Sequence, residues 1–121
     1  MPRVIHFELA ADDTTRAIQF YQSIFDWNFQ QWGEDGYWLI TTGEGEERGI
    51  NGGLGRRTEP GEFTTNIIDV PNIDEFVEKV VANGGMLVVP KTVVRGIGHL
   101  AYCKDTEGNT FGMMQHDPSA A

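Results

Sequence analysis

Apolar and polar positions alternate from Arg3 to Leu9, with Val4, His6 and Glu8 on one face and Ile5, Phe7 and Leu9 on the other. This is the period of a strand with one clearly apolar face. The period then lengthens. Asp12 and Asp13 supply oxygens suited to capping free amides, and Ala17, Phe20, Tyr21, Ile24 and Phe25 recur at i, i+3, i+4, i+7 and i+8. That spacing predicts a helix that buries one stripe and ends near Asp26. Three strand-like runs follow, residues 27–32, 37–42 and 50–55, separated by the turn formers Gly33-Glu34-Asp35-Gly36 and by the acidic Gly43-Glu44-Gly45-Glu46-Glu47.

A short segment, Thr58 to Glu62, contains Pro60 and Gly61 and resembles a linker. Beyond it the same order of patterns begins again. Residues 63–70 predict a strand. Asn72 with Glu75 three positions later has the form of a capping box, and Ile73, Phe76, Val77, Val80 and Val81 repeat the apolar stripe. Each lies 56 positions after its counterpart in the first helix (17 to 73, 20 to 76, 21 to 77, 24 to 80, 25 to 81), the mark of an internal repeat. Gly84-Gly85 stops the helix. Residues 86–94, 97–104 and 110–115 predict three closing strands, and residues 117–121 a frayed tail. The order β-α-β-β-β therefore occurs twice, predicting an α+β fold of paired modules, about 3–57 and 62–116. Together they should form a curled eight-stranded mixed sheet with two helices on its outer face.

Composition narrows the function. One domain of 121 residues, 40% apolar and 11% aromatic, fills a core of its own. A net charge of −9 repels phosphate backbones and anionic lipid, so neither nucleic acid nor membrane is expected as a partner. Cys103 is the single cysteine and forms no internal disulfide, which fits a reducing compartment; no run of about 18 apolar residues occurs, and a cytoplasmic location is expected.

His6-x-x-Leu9 with Asp13 and Phe20-Tyr21, the turn Asp105-Thr106-Glu107-Gly108-Asn109 before the last strand, and the paired βαβββ order together resemble the vicinal oxygen chelate superfamily, which includes glyoxalase, bleomycin-resistance and extradiol-dioxygenase proteins. Tyr37-Trp38-Leu39-Ile40 and Ile50-Asn51-Gly52-Gly53-Leu54 resemble its small single-domain, glyoxalase-like members. The resemblance implies a divalent metal at the floor of a cup, held by one side chain from each of the first, fourth, fifth and eighth strands and acting as a Lewis acid on vicinal oxygens. Carried over, those positions are His6, Gly52-Gly53, Thr65 and Gly112. Glycine offers no ligand and a threonine hydroxyl is a poor one, so no metal and no other cofactor is expected.

His6 is a candidate general base because its unperturbed pKa lies near neutrality, and Glu8 shares its strand face. His6, Glu8 and His99 also compose, on paper, a two-histidine, one-carboxylate set of the kind that holds non-haem iron. Among the aromatics of the second and third strands, Trp32 and Trp38 are the first candidates to line an apolar pocket. Asn51 and Thr65 add polar groups, and His99 and Gly112 complete the expected ligand-binding set. Gly52 to Gly55 lack the following helix of a phosphate loop, and the glycines are read as points of close backbone approach. Cys103 has no environment that would activate its thiol. Two functions remain open. One is a metal-independent binder that holds a small molecule in an aromatic cup; the other is a lyase, isomerase or oxygenase with His6 or Glu8 as base. Unpaired sheet surface and edges predict a homodimer in either case.

Overall fold

The computed structural model describes residues 2–121. It has two helices and an eight-stranded mixed sheet, in the α+β class, with the elements in the order β-α-β-β-β twice. The strands are β1 (Val4–Ala11), β2 (Asn28–Trp32), β3 (Tyr37–Thr41), β4 (Gly52–Arg56), β5 (Thr64–Asp69), β6 (Met86–Val94), β7 (Gly98–Lys104) and β8 (Thr110–His116), and the helices are α1 (Thr14–Phe25) and α2 (Ile73–Ala82). The chain divides into two compact units, His6–Thr65 and Asn66–Ala121 with the start of the chain up to Ile5.

In the unit His6–Thr65 the strands are ordered β2-β3-β4-β1, with β4 parallel to β1 and the other pairs antiparallel. Ala11, Ile40 and Leu54 are its buried centre, joined by Phe7, Leu9, Ala17, Ile18, Trp27, Phe29 and Trp38. Phe7, Leu9 and Ala11 alternate with His6, Glu8 and Ala10, so β1 sends its apolar residues toward α1 and its polar pair to the opposite face. Asp13 caps α1 by accepting from the Arg16 amide at 3.0 Å. Asp26 ends it in the left-handed conformation, φ 60°.

The expected apolar stripe of α1 is only partly buried. Ala17 and, unexpectedly, Ile18 meet the core, whereas Phe20, Ile24 and Phe25 are exposed. Rings at the end of the helix pack on one another instead. Tyr21 stacks on Trp27 with centroids 5.2 Å apart and planes 10° apart, Phe25 also stacks on Trp27, and Phe20 meets Tyr21 edge-on. The segment read as a linker is pinned. Arg57 donates to the Glu62 and Ala10 carbonyls and to the Asp12 carboxylate, at 2.8, 3.0 and 2.8 Å.

In the second unit the order is β5-β8-β7-β6, with β5 parallel to β8 and the other pairs antiparallel. Val70, Ile73, Ala101, Cys103 and Met113 form its centre, with Phe76, Val77 and Val80 of α2 against them; Val81 is exposed. Asn72 caps α2 at the Glu75 amide, 3.0 Å, but Glu75 pairs forward with Lys79 at 3.3 Å, so half of the expected capping box is formed. The terminal residues are docked rather than frayed. Gly96 donates to the Ala120 carbonyl at 2.8 Å, Asp117 donates to Ile97 at 2.9 Å, and Ala120 is buried. No helix of the described residues is long and apolar enough to cross a membrane.

Candidate functional site

The polar face of β1 meets a tyrosine that composition alone did not single out. His6 Nε2 lies 3.2 Å from the Tyr37 hydroxyl, and that hydroxyl donates to Glu8 Oε2 at 3.1 Å. Alternation along β1 places His6 and Glu8 on one face, and the register explains how Tyr37 reaches them. Glu8 lies beside Gly53 on β4, and Gly53 beside Leu39 on β3, two residues from Tyr37. The phenol must therefore lie across β4. It does so because β4 has glycine there: a Cβ on Gly53 would collide with the Tyr37 hydroxyl and ring carbon Cζ, and one on Gly55 would stand 3.4 Å from the ring. Trp32 closes the flank, edge-on to Tyr37 with centroids 6.3 Å apart.

Desolvation sets the protonation of this cluster. Burial lowers the His6 pKa below its ordinary value, with the Glu8 charge opposing, so the imidazole is neutral at pH 7. Burial first, then the charge and hydrogen bond of Glu8, raise the Tyr37 pKa well above that of a free phenol, so its proton is retained.

The other expected residues fall elsewhere. Trp38 alternates with Tyr37 and packs into the core beneath α1, away from the His6 face; of the two tryptophans, only Trp32 adjoins the polar cluster. Asn51 closes the turn between β3 and β4, its side-chain oxygen accepting from the Thr42 amide at 2.9 Å and hydroxyl at 3.3 Å. Thr65 is half-buried on β5. In the second unit His99 pairs with Asp117 at 3.4 Å. It alternates with Tyr102 along β7 and shares the face of Ala101 and Cys103, which pack with α2. Gly112 belongs to the opposite face, where an added Cβ would meet Ile67 Cδ1 and stand 3.2 Å from the Tyr102 ring. His116 is on β8, paired with Asp69 at 3.1 Å. Cys103 is buried, and burial pushes its thiol pKa up.

These residues do not fit the divalent metal of the resembled superfamily. Of the four carried-over positions only His6 has a nitrogen donor. The volume a ligand would use at Gly53 is taken by Tyr37, and at Gly112 by Ile67 and Tyr102. Among the described residues no three His, Cys, Asp or Glu side chains gather into a metal-holding group.

Tyr37 was missed because a tyrosine in an alternating strand reads as packing. Its signal was Gly53 and Gly55 two strand positions apart, which leave a bare track across β4. They make room for a neighbouring side chain, not for another backbone.

Comparison with known proteins follows the same outline. The sequence model of the Glyoxalase/Bleomycin resistance protein/Dioxygenase superfamily matches residues 3–113. The protein named "Putative glyoxylase CFP32" of Mycobacterium bovis is 26% identical over 113 residues, 89% of this chain and 43% of that protein. The chain thus spans less than half the length of the curated relatives it matches. A glyoxalase/bleomycin resistance protein/dioxygenase superfamily member from Vibrio splendidus has a similar structure, with TM-score 0.66 and 17% identity over 95% of this chain and 99% of the other. Methylmalonyl-CoA epimerase from Mycobacterium tuberculosis matches with TM-score 0.67 and 12% identity over 95% and 88%. At these identities the likeness to the solved structures is one of fold.

Proposed function

From the premise that the chain belongs to the Glyoxalase/Bleomycin resistance protein/Dioxygenase superfamily, we propose that it binds a small organic molecule on the strand face of His6, Glu8, Tyr37 and Trp32 without the metal usual in that fold. The observation that carries this reading is the hydrogen-bonded series Glu8, Tyr37, His6, seated on a glycine track where the resemblance places a fourth-strand metal ligand. Polar groups half withdrawn from water and bordered by an indole edge are what a pocket uses to orient a ligand that it otherwise holds by apolar contact. The polar series, not a sheltering cup of tryptophans, supplies the specificity.

Tryptophan emission tests the reading. In a screen of small aromatic and carbonyl compounds, a hit should shift emission in the wild type, lose the shift in Trp32→Leu and lose affinity in His6→Ala. A hit whose affinity and emission response survive both substitutions binds elsewhere and overturns the placement. Elemental analysis tests the metal-free half of the proposal, which about one Zn, Mn, Ni or Fe per chain, lost in His6→Ala, would refute.

A second reading, a lyase, isomerase or oxygenase using His6 as base, is favoured by one observation, the neutral state that burial imposes on that imidazole. A homodimer fits both readings. Met86, Leu87, Val88, Val89 and Val93 of β6 are all exposed, an apolar surface that a two-fold contact would cover. Light scattering should give a mass near twice 13.5 kDa, and a monomer at tens of micromolar would refute the pairing.

A further inference from the structure

We propose that Glu8 and Tyr37 are positioning residues that hold His6 in one tautomer, with the proton on Nε2 and the lone pair on Nδ1, so that Nδ1 is the atom this site offers to a hydrogen-bond donor on its ligand. The inference rests on the reading of this strand face as the binding site and deepens it by naming the ligand group.

The argument is one of proton counting. An ionised carboxylate accepts hydrogen bonds and donates none, so the contact between Tyr37 and Glu8 at 3.1 Å takes the phenol's single proton. What Tyr37 turns toward His6 is then an oxygen lone pair, and the contact at 3.2 Å is a hydrogen bond only if Nε2 brings the proton. A neutral imidazole carries one N–H. Nδ1 is therefore bare, and among the described residues it takes no hydrogen bond.

The arrangement persists because Tyr37 has little freedom to turn away. Its ring lies over Gly55, its hydroxyl over Gly53, and Trp32 stands against its side. Burial supports the same assignment by keeping His6 neutral and Tyr37 protonated. A bare nitrogen accepts from an O–H or N–H group and offers nothing to the oxygens of a carboxylate or phosphate. The geometry thus selects a ligand that presents a hydrogen-bond donor at this corner.

Long-range proton–nitrogen correlation spectra of uniformly ¹⁵N-labelled protein at neutral pH read the tautomer without any ligand. The wild type should show His6 Nε2 as the protonated, pyrrole-type nitrogen and Nδ1 as the pyridine-type one. In Glu8→Ala the phenol is released to donate to Nε2, and the two nitrogens should exchange character. In the double variant Glu8→Ala, Tyr37→Phe the exchange should not occur. A wild-type protein with the proton on Nδ1, a Glu8→Ala spectrum with the wild-type pattern, or an exchange that persists without the hydroxyl would each overturn the proposal. Should Glu8→Ala fail to fold, Tyr37→Phe serves: the Nε2 proton loses its acceptor and should exchange with water several-fold faster, whereas an unchanged rate overturns the assignment. Since no ligand is added, a wrong tautomer would sink this inference and leave the binding reading standing. A hit whose emission response and affinity survive both Trp32→Leu and His6→Ala would sink the binding reading, and with it the role of Nδ1 toward a ligand, while the tautomer assignment would stand.

Discussion

Gly53→Ala isolates the architecture of the candidate site with one methyl group. At an ordinary position in a strand, replacing glycine by alanine stabilises by about 0.5–1 kcal/mol, because glycine has more freedom to lose on folding. Gly53 adopts no left-handed backbone that would forbid a side chain. The new Cβ nevertheless falls on the Tyr37 hydroxyl and Cζ, so the phenol must swing away. That breaks its bonds to Glu8 and His6 together. A hydrogen bond to a charged group contributes about 1.5–3 kcal/mol and a neutral one about 0.5–1.5 when fully shielded. Taking the low end of each for this half-buried cluster, roughly 2 kcal/mol is lost. Subtracting the strand preference leaves a net destabilisation of about 1–1.5 kcal/mol, or roughly 3–7 °C in Tm for a domain of this size.

Urea unfolding of four proteins checks the reasoning: wild type, Gly53→Ala, Tyr37→Ala and the double variant. With Tyr37 removed, the Cβ has nothing to displace, so Gly53→Ala should become neutral or stabilising by about 0.5–1 kcal/mol. The expected coupling between the two substitutions is therefore about 1.5–2.5 kcal/mol. Gly55→Ala, whose Cβ would stand 3.4 Å from the ring, is the control and should be neutral or stabilising by up to about 1 kcal/mol. Equal effects of Gly53→Ala in the presence and absence of Tyr37, or a Gly53→Ala protein as stable as Gly55→Ala, would refute the argument that glycine is there to admit the phenol.

The two cores and the ionisable groups yield further expectations. Ile73 and Ile40 are each 1% exposed, and truncation of either to alanine should cost about 2–5 kcal/mol in urea unfolding; a loss under 1 kcal/mol would mean that the site collapses freely. Asn72→Ala removes the cap at the Glu75 amide and should cost about 1 kcal/mol, against no measurable change if water replaces the side chain equally well. Cys103, buried and with its thiol pKa raised, should react with a thiol reagent only on the timescale of unfolding, and rapid labelling of the native protein would place it wrongly. Because the folded-state pKa of His6 lies below the ordinary 6.5, its contribution is present above that pH and lost as pH falls through the folded value; the drop in unfolding free energy between pH 7.5 and 5 should be smaller in His6→Gln than in wild type, and equal drops would contradict the shift.

The repeated βαβββ order was legible because each element carries its own period. β6 begins at Met86, directly after Gly84-Gly85, and ends at Val94, just before Gly96, and the two helices start at Asp13 and Asn72, where side chains cap free amides. The errors have local physical causes. The stripe through Phe20, Ile24 and Phe25 satisfied helical spacing, but spacing does not say whether a ring packs on the sheet or on other rings, and Trp27 drew the aromatic cluster to the helix end. Polar composition made the terminal residues read as loose, although Ala120 is small enough to tuck in and its carbonyl accepts from Gly96.

The candidate site was half legible for a related reason. Alternation alone put His6 and Glu8 on one strand face, because that is a property of a single strand. Whether Trp32 or Trp38 shares their neighbourhood depends on a register between strands, and which of two adjacent residues faces outward is decided by which one the core takes. Trp38 goes to the core beside Ile40 and Phe29, and Tyr37, its neighbour in sequence, is thereby turned to the polar face. Glycines at a metal-ligand position read, in one dimension, as the loss of a function. In three dimensions Gly53 is a vacancy filled from the next strand, so the same residue that removes a ligand admits a phenol. On the proposed metal-free reading, the absence of a donor at Gly53 and the hydrogen-bonded series are one feature of the architecture of β4, and a glutamate placed at Gly53 would have to evict Tyr37 before it could hold anything.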